Sequence, residues 1–175
     1  MCLKLGVSAE NIKEALLNVT VPGRSELVPN KKGLNIMIDY AHSPESLESI
    51  LTAVKSFAKG KVICVFGCGG DRDTSKRAIM GEISGKIADF TVITSDNPRT
   101  EEPEEIISQI EAGMKKAKGN YICITDRKEA IKYALLMADK QDVVVLAGKG
   151  HEKYIEINGK KIDFDERKIV KELLQ

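Results

Sequence analysis

The chain has 175 residues and a formal net charge of +1, with 42% hydrophobic and 30% charged residues, a composition typical of a soluble globular protein. The near-zero charge gives no electrostatic reason to expect binding to nucleic acid or a membrane surface, and no apolar run approaches the roughly 20 residues that cross a bilayer. Four scattered cysteines, at positions 2, 64, 68 and 123, favour reduced, buried thiols in a cytoplasmic protein over a zinc site.

The predicted elements alternate between strand and helix along most of the chain. After a short helix at Ala9–Leu17, apolar runs rich in Ile and Val predict strands, and amphipathic repeats predict the helices between them. The predicted strands are Asn35–Asp39, Lys61–Phe66, Phe90–Thr94, Tyr121–Thr125 and Asp142–Ala147. The predicted helices are Pro44–Ala58, Ser75–Ile87, Pro103–Lys116 and Asp126–Ala138.

This alternation predicts an α/β fold. Strands that are almost continuously apolar are buried on both faces, so we expect a doubly wound, mostly parallel, Rossmann-like sheet with right-handed crossovers. After Gly150 the pattern changes to a tight hairpin, Tyr154–Ile157 with Lys160–Ile162, followed by a closing helix at Glu166–Leu174. The first 24 residues, which end in a linker at Val21–Arg24, are expected to be the tail of a preceding domain, so residues 25–175 form the main unit.

Polar clusters follow four of the five predicted strands. Because the carboxyl ends of parallel strands meet at one edge of a sheet, where α/β proteins bind ligands, we expect these clusters to share one rim. Arginine at such a rim suits a carboxylate, since its planar fork can donate two parallel hydrogen bonds. The clusters are Asp39–Pro44, Gly67–Asp73, Asp96–Arg99 and Gly148–Glu152.

Each cluster alone also has a simpler interpretation. Asp96-Asn97-Pro98 is ordinary turn chemistry, and Ser43-Pro44 is a good helix start. The glycines at Gly67–Gly70 suggest a dinucleotide-binding turn, but Arg72 stands where G-x-G-x-x-G needs glycine. The phosphate-loop pattern G-x-x-x-x-G-K-[ST] is absent from the 175 residues, so this chain alone has no evident means of gripping a triphosphate.

Taken together and in this order, the four clusters with Val21–Arg24 and Lys76-Arg77 resemble the C-terminal domain of the Mur ligases. The nearest resemblance is to the branch that adds meso-diaminopimelate to UDP-N-acetylmuramoyl-L-alanyl-D-glutamate in peptidoglycan synthesis. It implies that residues 1–24 are the tail of a central ATPase domain with its linker, and that residues 25–175 are the C-terminal domain that binds the amino acid and nucleotide. It also implies a cytoplasmic enzyme that forms an amide bond at the expense of ATP.

The resemblance assigns roles residue by residue. Arg99 would take the distal carboxylate of meso-diaminopimelate, Glu152 and the Gly148 carbonyl its distal ammonium, and Arg77 the carboxylate beside the reacting amine. The complete set expected to hold this substrate is Arg77, Asn97, Arg99, Gly148 and Glu152. The set expected beside the nucleotide, ATP or ADP, is Arg24, Asp39, Tyr40 and His42.

Other parts of the reaction are expected outside this domain. By resemblance, ATP and Mg²⁺ are held mainly by the central domain, so no catalytic residue or metal ligand is expected here and the isolated chain should be inactive. Asp71 and Arg72 receive no role from the resemblance: they could pair and shape their loop, or approach the nucleotide.

Three alternatives remain open at the level of sequence. A lysine-adding Mur ligase domain is disfavoured by Arg99, because lysine lacks the distal carboxylate. A stand-alone nucleotide-binding oxidoreductase is disfavoured by Arg72 in the glycine motif. The third is a non-catalytic nucleotide-binding or regulatory domain of the same fold, and a phosphate loop in an upstream domain would argue against it.

Overall fold

A computed structural model describes residues 2–17, 19 and 21–175, so Met1, Asn18 and Thr20 of the predicted preceding segment lie outside the described residues, as does the Cys2 side chain. The strands are β1 (Glu26–Leu27), β2 (Asn35–Asp39), β3 (Val62–Phe66), β4 (Phe90–Ile93), β5 (Tyr121–Cys123), β6 (Val143–Ala147), β7 (Tyr154–Ile157) and β8 (Lys160–Asp163). The α-helices are α1 (Ala9–Leu17), α2 (Pro44–Phe57), α3 (Ser75–Ile87), α4 (Pro103–Ala117), α5 (Arg127–Met137) and α6 (Glu166–Leu173), preceded by a short 3₁₀ helix at Cys2–Leu5.

The main sheet has six strands in the order β1-β2-β6-β3-β4-β5. Strands β2 to β6 pair in parallel, which confirms the predicted α/β sheet, and each predicted strand is present with its ends trimmed by no more than two residues. Strand β1, which the sequence patterns did not predict, pairs antiparallel with β2. The predicted hairpin is also present, with β7 antiparallel to β8.

Two apolar layers cover the sheet, as expected for strands buried on both faces. Helices α2, α3 and α4 pack on one face, and α5 and α6 on the other. The first layer includes Leu47, Leu51, Met80, Ile110 and Met114. The second includes Ile131, Ala134, Ile169 and Val170.

Helices α2 and α5 each begin a few residues after the preceding strand, at a side-chain cap. Ser43 caps α2 in a reciprocal capping box with Ser46, and the Asp126 side chain accepts the backbone N–H of Glu129 at the start of α5.

Within the described part of the chain, no helix is both long and apolar enough to span a membrane.

The cysteines differ from the prediction at one position. Cys64 and Cys68 are buried, and this burial raises the pKa of each thiol to about 12, so both stay protonated. Cys123, predicted to be buried in a strand, is exposed because β5 is the last strand of the sheet. The expectation of buried thiols is therefore wrong for Cys123.

Helices α3 and α4 approach so closely that their backbones touch. A Cβ atom at Gly81 would lie 2.1 Å from the Ile110 carbonyl oxygen, and one at Gly113 would lie 1.8 Å from the Ala78 carbonyl oxygen. Glycine at these two positions is therefore a packing requirement, and it determines where the first turn of α3 meets the rim of the sheet.

We expect Gly113→Ala to lower the free energy of unfolding by about 1–3 kcal/mol, the usual cost of overpacking, even though alanine favours a helix by about 1 kcal/mol over glycine. Urea denaturation followed by circular dichroism measures the change. The control is Ser108→Ala at an exposed position of α4, which should change stability by no more than about 0.5 kcal/mol. Equal midpoints for Gly113→Ala and the wild type would contradict the close helix contact.

Candidate functional site

A cavity of about 450 Å³ lies at the carboxyl ends of the parallel strands. Residues from all four predicted polar clusters contribute to it, so the expectation of one shared rim is correct. Its lining residues are Tyr40, His42, Gly69, Arg72, Lys76, Asp96, Asn97, Arg99, Gly148, Glu152 and Tyr154.

One wall of the cavity is built on a buried ion network. The Lys149 side chain is fully buried, and its Nζ lies 2.9 Å from an Asp96 carboxylate oxygen, 3.0 Å from the Asn97 Oδ1 atom and 3.6 Å from Glu152 Oε2. Sequence reasoning missed Lys149. The signal available in the sequence was the pair of glycines, Gly148 and Gly150, on either side of Lys149. Both adopt positive φ in the structure, and such a turn can direct a side chain inward.

Asn97 has a fixed orientation in this wall. Its Oδ1 atom accepts hydrogen bonds from Lys149 Nζ and from the backbone N–H of Glu156, both at 3.0 Å. Its Nδ2 atom donates to Glu152 Oε2 at 2.9 Å. The amide can satisfy all three partners in one orientation only, because oxygen accepts and nitrogen donates.

Arg99 joins the turn after β4 to the C-terminal hairpin. Its backbone adopts a left-handed conformation, with φ of 54°, and bonds to the backbone of Glu156 and Asn158 on the hairpin. Its Nη1 donates to the Gly70 carbonyl oxygen at 2.6 Å, and its Nε lies 3.4 Å from a Glu156 carboxylate oxygen. The guanidinium is therefore held in place at the cavity wall without a ligand.

The glycines after β3 make room for this arrangement. A Cβ atom at Gly70 would lie 1.9 Å from the Pro98 carbonyl oxygen, and one at Gly69 would lie 2.9 Å from the Arg99 Nη1 atom and 3.9 Å from the Arg72 side chain. Gly69 thus lies between two arginines that both line the cavity. The absence of side chains at Gly69 and Gly70 leaves room for the guanidinium groups of Arg72 and Arg99 beside the same cavity.

Arg77, which was expected to hold a substrate carboxylate, does not line the cavity. Its side chain is fully buried, with Nη1 and Nη2 donating to the two carboxylate oxygens of Glu101 at 2.7 and 2.9 Å. Further bonds run to Gln109 and to the Gly69 carbonyl oxygen. In this structure Arg77 supports the glycine loop, and Arg72 is the arginine of this loop that lines the cavity.

Asp71 shapes the same loop but does not pair with Arg72 as the sequence allowed. One of its carboxylate oxygens accepts the Thr100 hydroxyl at 2.6 Å, and its backbone N–H donates to Glu101 at 2.5 Å. These bonds fasten the loop after β3 to the turn after β4. Arg72 is left exposed at the cavity.

Of the residues expected beside a nucleotide, Tyr40 and His42 line one edge of the cavity, and Arg24 lies against Tyr40. The Arg24 guanidinium lies 4.8 Å from the centre of the Tyr40 ring, which also contacts the rings of His42 and His151 at 4.5 and 5.0 Å. Burial, together with the nearby Glu152, raises the pKa of Tyr40, so its hydroxyl remains a donor. This edge offers a cation and ring surfaces, which fit a nucleotide.

Asp39 lies beneath that edge. It is 8% exposed, and one carboxylate oxygen accepts the backbone N–H of Ser25 at 2.7 Å. The same turn is held by Glu26, which accepts the backbone N–H of Gly23 at 2.6 Å. The contact that the structure shows for Asp39 is therefore with the turn that carries Arg24.

Fold and cavity together define an α/β domain whose sheet edge carries a cavity lined by cations and carboxylates. A family model, the Mur ligase, glutamate ligase domain, matches residues 23–150. The chain belongs to the Mur ligase family.

Several proteins are similar to this chain. A UDP-N-acetylmuramoyl-L-alanyl-D-glutamate–2,6-diaminopimelate ligase of Caldanaerobacter subterraneus is 55% identical over 97% of this chain and 35% of that protein. The enzyme of the same name from Clostridioides difficile is 51% identical over 99% of this chain and 36% of its own length. The chain thus spans about a third of the length of the curated relatives it matches.

Solved structures agree on the fold. One of a UDP-N-acetylmuramoyl-L-alanyl-D-glutamate–2,6-diaminopimelate ligase aligns with a TM-score of 0.81 and 36% identity, over 98% of this chain and 35% of the other. A bifunctional folylpolyglutamate synthase/dihydrofolate synthase from Yersinia pestis, complexed with AMPPNP and Mn, aligns with a TM-score of 0.63 and 24% identity, over 83% of this chain and 32% of the other. The second match shows a shared fold alone.

The Arg77–Glu101 pair should make stability depend on pH. The hydrogen bonds that Glu101 accepts from Arg77 lower the pKa of the Glu101 carboxyl from 4.5 to about 2, and the hydrogen bond from the Asp71 N–H adds to this effect. A lowered folded-state pKa stabilises the fold above the unfolded-state value, and this contribution is lost as pH falls from about 4.5 to about 2. Glu101→Gln should therefore be less stable than the wild type near neutral pH, and the difference should shrink through that window.

Urea unfolding of both proteins at several pH values measures the difference. Glu104→Gln, an exposed change of the same charge in α4, is the matched control and should cost less near neutral pH. A constant difference between wild type and Glu101→Gln from neutral pH to about pH 3 would mean that ionisation of Glu101 does not stabilise the fold.

Proposed function

We propose that this chain is the C-terminal, amino-acid-binding domain of an ATP-dependent ligase that adds meso-diaminopimelate to UDP-N-acetylmuramoyl-L-alanyl-D-glutamate in the cytoplasm. The observation that carries the proposal is one cavity in which Arg72 and Arg99 face the carboxylates of Asp96 and Glu152. The names of its most similar relatives support it. Because those relatives are about three times as long, the complete activity requires the rest of such an enzyme.

The charges of the cavity match the charges of this substrate. Meso-diaminopimelate has an amino group and a carboxylate at each end, so it needs both cations and anions around it. In the proposed pose Arg99 binds the distal carboxylate, while Glu152 and the Gly148 carbonyl accept from the distal ammonium and Asn97 orients Glu152. Arg72 takes the second carboxylate, beside the reacting amine, in place of Arg77.

The proposed reaction has two steps. The γ-phosphoryl group of ATP passes to the carboxylate of the UDP-linked dipeptide, and the amine of meso-diaminopimelate then attacks the acyl phosphate and releases phosphate. Residues 1–24 would be the tail of the domain that holds ATP and Mg²⁺. Arg24, Tyr40 and His42 would meet the nucleotide when the two domains close, with Asp39 fixing the turn that carries Arg24. Such closure excludes water from the reacting groups.

Arg99 should set the preference for meso-diaminopimelate over lysine. Lysine lacks the distal carboxylate, and a hydrogen bond to a charged group contributes about 1.5–3 kcal/mol. In the full-length ligase, Arg99→Ala should raise the KM for meso-diaminopimelate and reduce the preference in kcat/KM by about tenfold or more. Residual activity with lysine should fall much less, and Arg99→Lys should rescue little because an ammonium cannot form the bidentate pair.

Phosphate release measured with each amino acid decides this prediction. Lys128→Ala, a change to an exposed cation on α5 paired with Glu172, is the control and should leave both rates unchanged. If the ratio of the two kcat/KM values were the same in Arg99→Ala and the wild type, Arg99 would be a turn residue only. A wild type that prefers lysine would support the lysine-adding alternative.

The 175-residue chain by itself should not ligate. Transfer of a γ-phosphoryl group needs a phosphate cradle and a positioned Mg²⁺, and the sequence of this chain contains no phosphate-loop pattern. Phosphate release should therefore stay at background with ATP, the UDP-linked dipeptide and meso-diaminopimelate present. Turnover by the purified chain at a rate comparable to that of a full-length ligase would refute the proposal that ATP and Mg²⁺ are held by another domain.

A further inference from the structure

Lys149 is a buried cation to which neither the sequence motif nor the proposed chemistry gives a role. It is one of the largest fully buried side chains of the described residues. Its Nζ lies within 3.0 Å of polar atoms of Asp96 and Asn97 and 3.6 Å from a carboxylate oxygen of Glu152. The Tyr154 ring centre lies 5.9 Å from the same atom. Because burying a lysine is costly without such partners, this position requires an explanation beyond packing.

The contacts of Lys149 determine what the cavity wall presents. Its donation to Asn97 Oδ1 helps to turn the amide so that Nδ2 points at Glu152. Its charge offsets part of the repulsion between Asp96 and Glu152, and the three groups together keep one excess negative charge. That charge is of the sign needed to receive an ammonium group.

We propose that Lys149 is a positioning residue for recognition of the amino-acid substrate, acting through Asn97 and Glu152 without touching the substrate. This inference rests on the proposed function for the identity of the substrate. Lys149 orients the Asn97 amide by hydrogen bonding and holds Glu152 by charge. It thereby sets the place where the distal ammonium of the substrate is accepted.

The kinetic test uses Lys149→Met in the full-length ligase, because methionine has a similar length and no donor. We expect the KM for meso-diaminopimelate to rise by about tenfold or more, while kcat and the KM values for ATP and the UDP-linked dipeptide change by less than about threefold. Lys153→Met is the matched control, since Lys153 lies in the same segment with a 67% exposed side chain. It should leave all four constants unchanged.

A second variant separates positioning from charge neutralisation and guards against loss of folding. Asp96→Asn combined with Lys149→Met removes one charge of each sign, so it should unfold at a higher temperature than Lys149→Met alone. It still lacks the lysine donor to Asn97, and we therefore expect its KM for meso-diaminopimelate to stay raised. Recovery of the wild-type KM in the double variant would overturn the proposal, as would a loss of kcat with unchanged KM in Lys149→Met.

Crystal structures of the variants supply a readout that does not depend on the substrate. In Lys149→Met or the double variant, we expect the Asn97 amide to turn or Glu152 to move away from its place in the wild type. Unmoved Asn97 and Glu152 would overturn the positioning role. If the wild type released no phosphate with meso-diaminopimelate, the proposed function would fail, and the crystal structures would still decide the role of Lys149.

Discussion

One wall of the cavity is organised around a buried ammonium group, the Nζ of Lys149. Lys149 follows β6, whereas its partners Asp96 and Asn97 follow β4, and β3 lies between those two strands in the sheet. The contact is possible because a glycine directly follows β3: a Cβ atom at Gly67 would lie 2.1 Å from the Thr94 carbonyl oxygen. The loop of the middle strand is therefore kept small so that its neighbours can meet.

A second buried cation fastens the same two loops from another side. Arg127 donates to the Ser95 carbonyl oxygen after β4, to the Ala147 carbonyl oxygen at the end of β6, and to Glu166 at the start of α6. Breaking a buried pair by removing one partner typically costs about 3–5 kcal/mol, because an uncompensated charge remains. The two strand ends are thus fixed by ionic contacts as well as by the sheet.

The sequence alone was sufficient for the five parallel strands, the helices that follow them and the shared rim, because these follow from periodicity and from the geometry of parallel sheets. It was insufficient wherever a side chain is directed by a distant partner. Arg72 and Arg77 lie five positions apart in neighbouring motifs. The contact of Arg77 with Glu101, in the turn before α4, accounts for its burial, whereas Arg72 faces the cavity. The two-residue strand β1 was missed for a similar reason, since Glu26 bonds to Arg167 near the other end of the chain.

The partners of Arg99 also limit how selective this domain can be. Because Gly70 and Glu156 already hold the guanidinium, little conformational entropy is lost when a carboxylate binds, which favours affinity. The same partners remain when a ligand without that carboxylate is bound, so Arg99 would not then be left as a bare buried charge. The penalty against such a ligand is therefore that of a lost charged hydrogen bond, about 1.5–3 kcal/mol, and falls short of the cost of an unpaired buried ion. For the proposed substrate, preorganisation of Arg99 by Gly70 and Glu156 would therefore strengthen binding of the distal carboxylate and at the same time set an upper limit on discrimination against lysine.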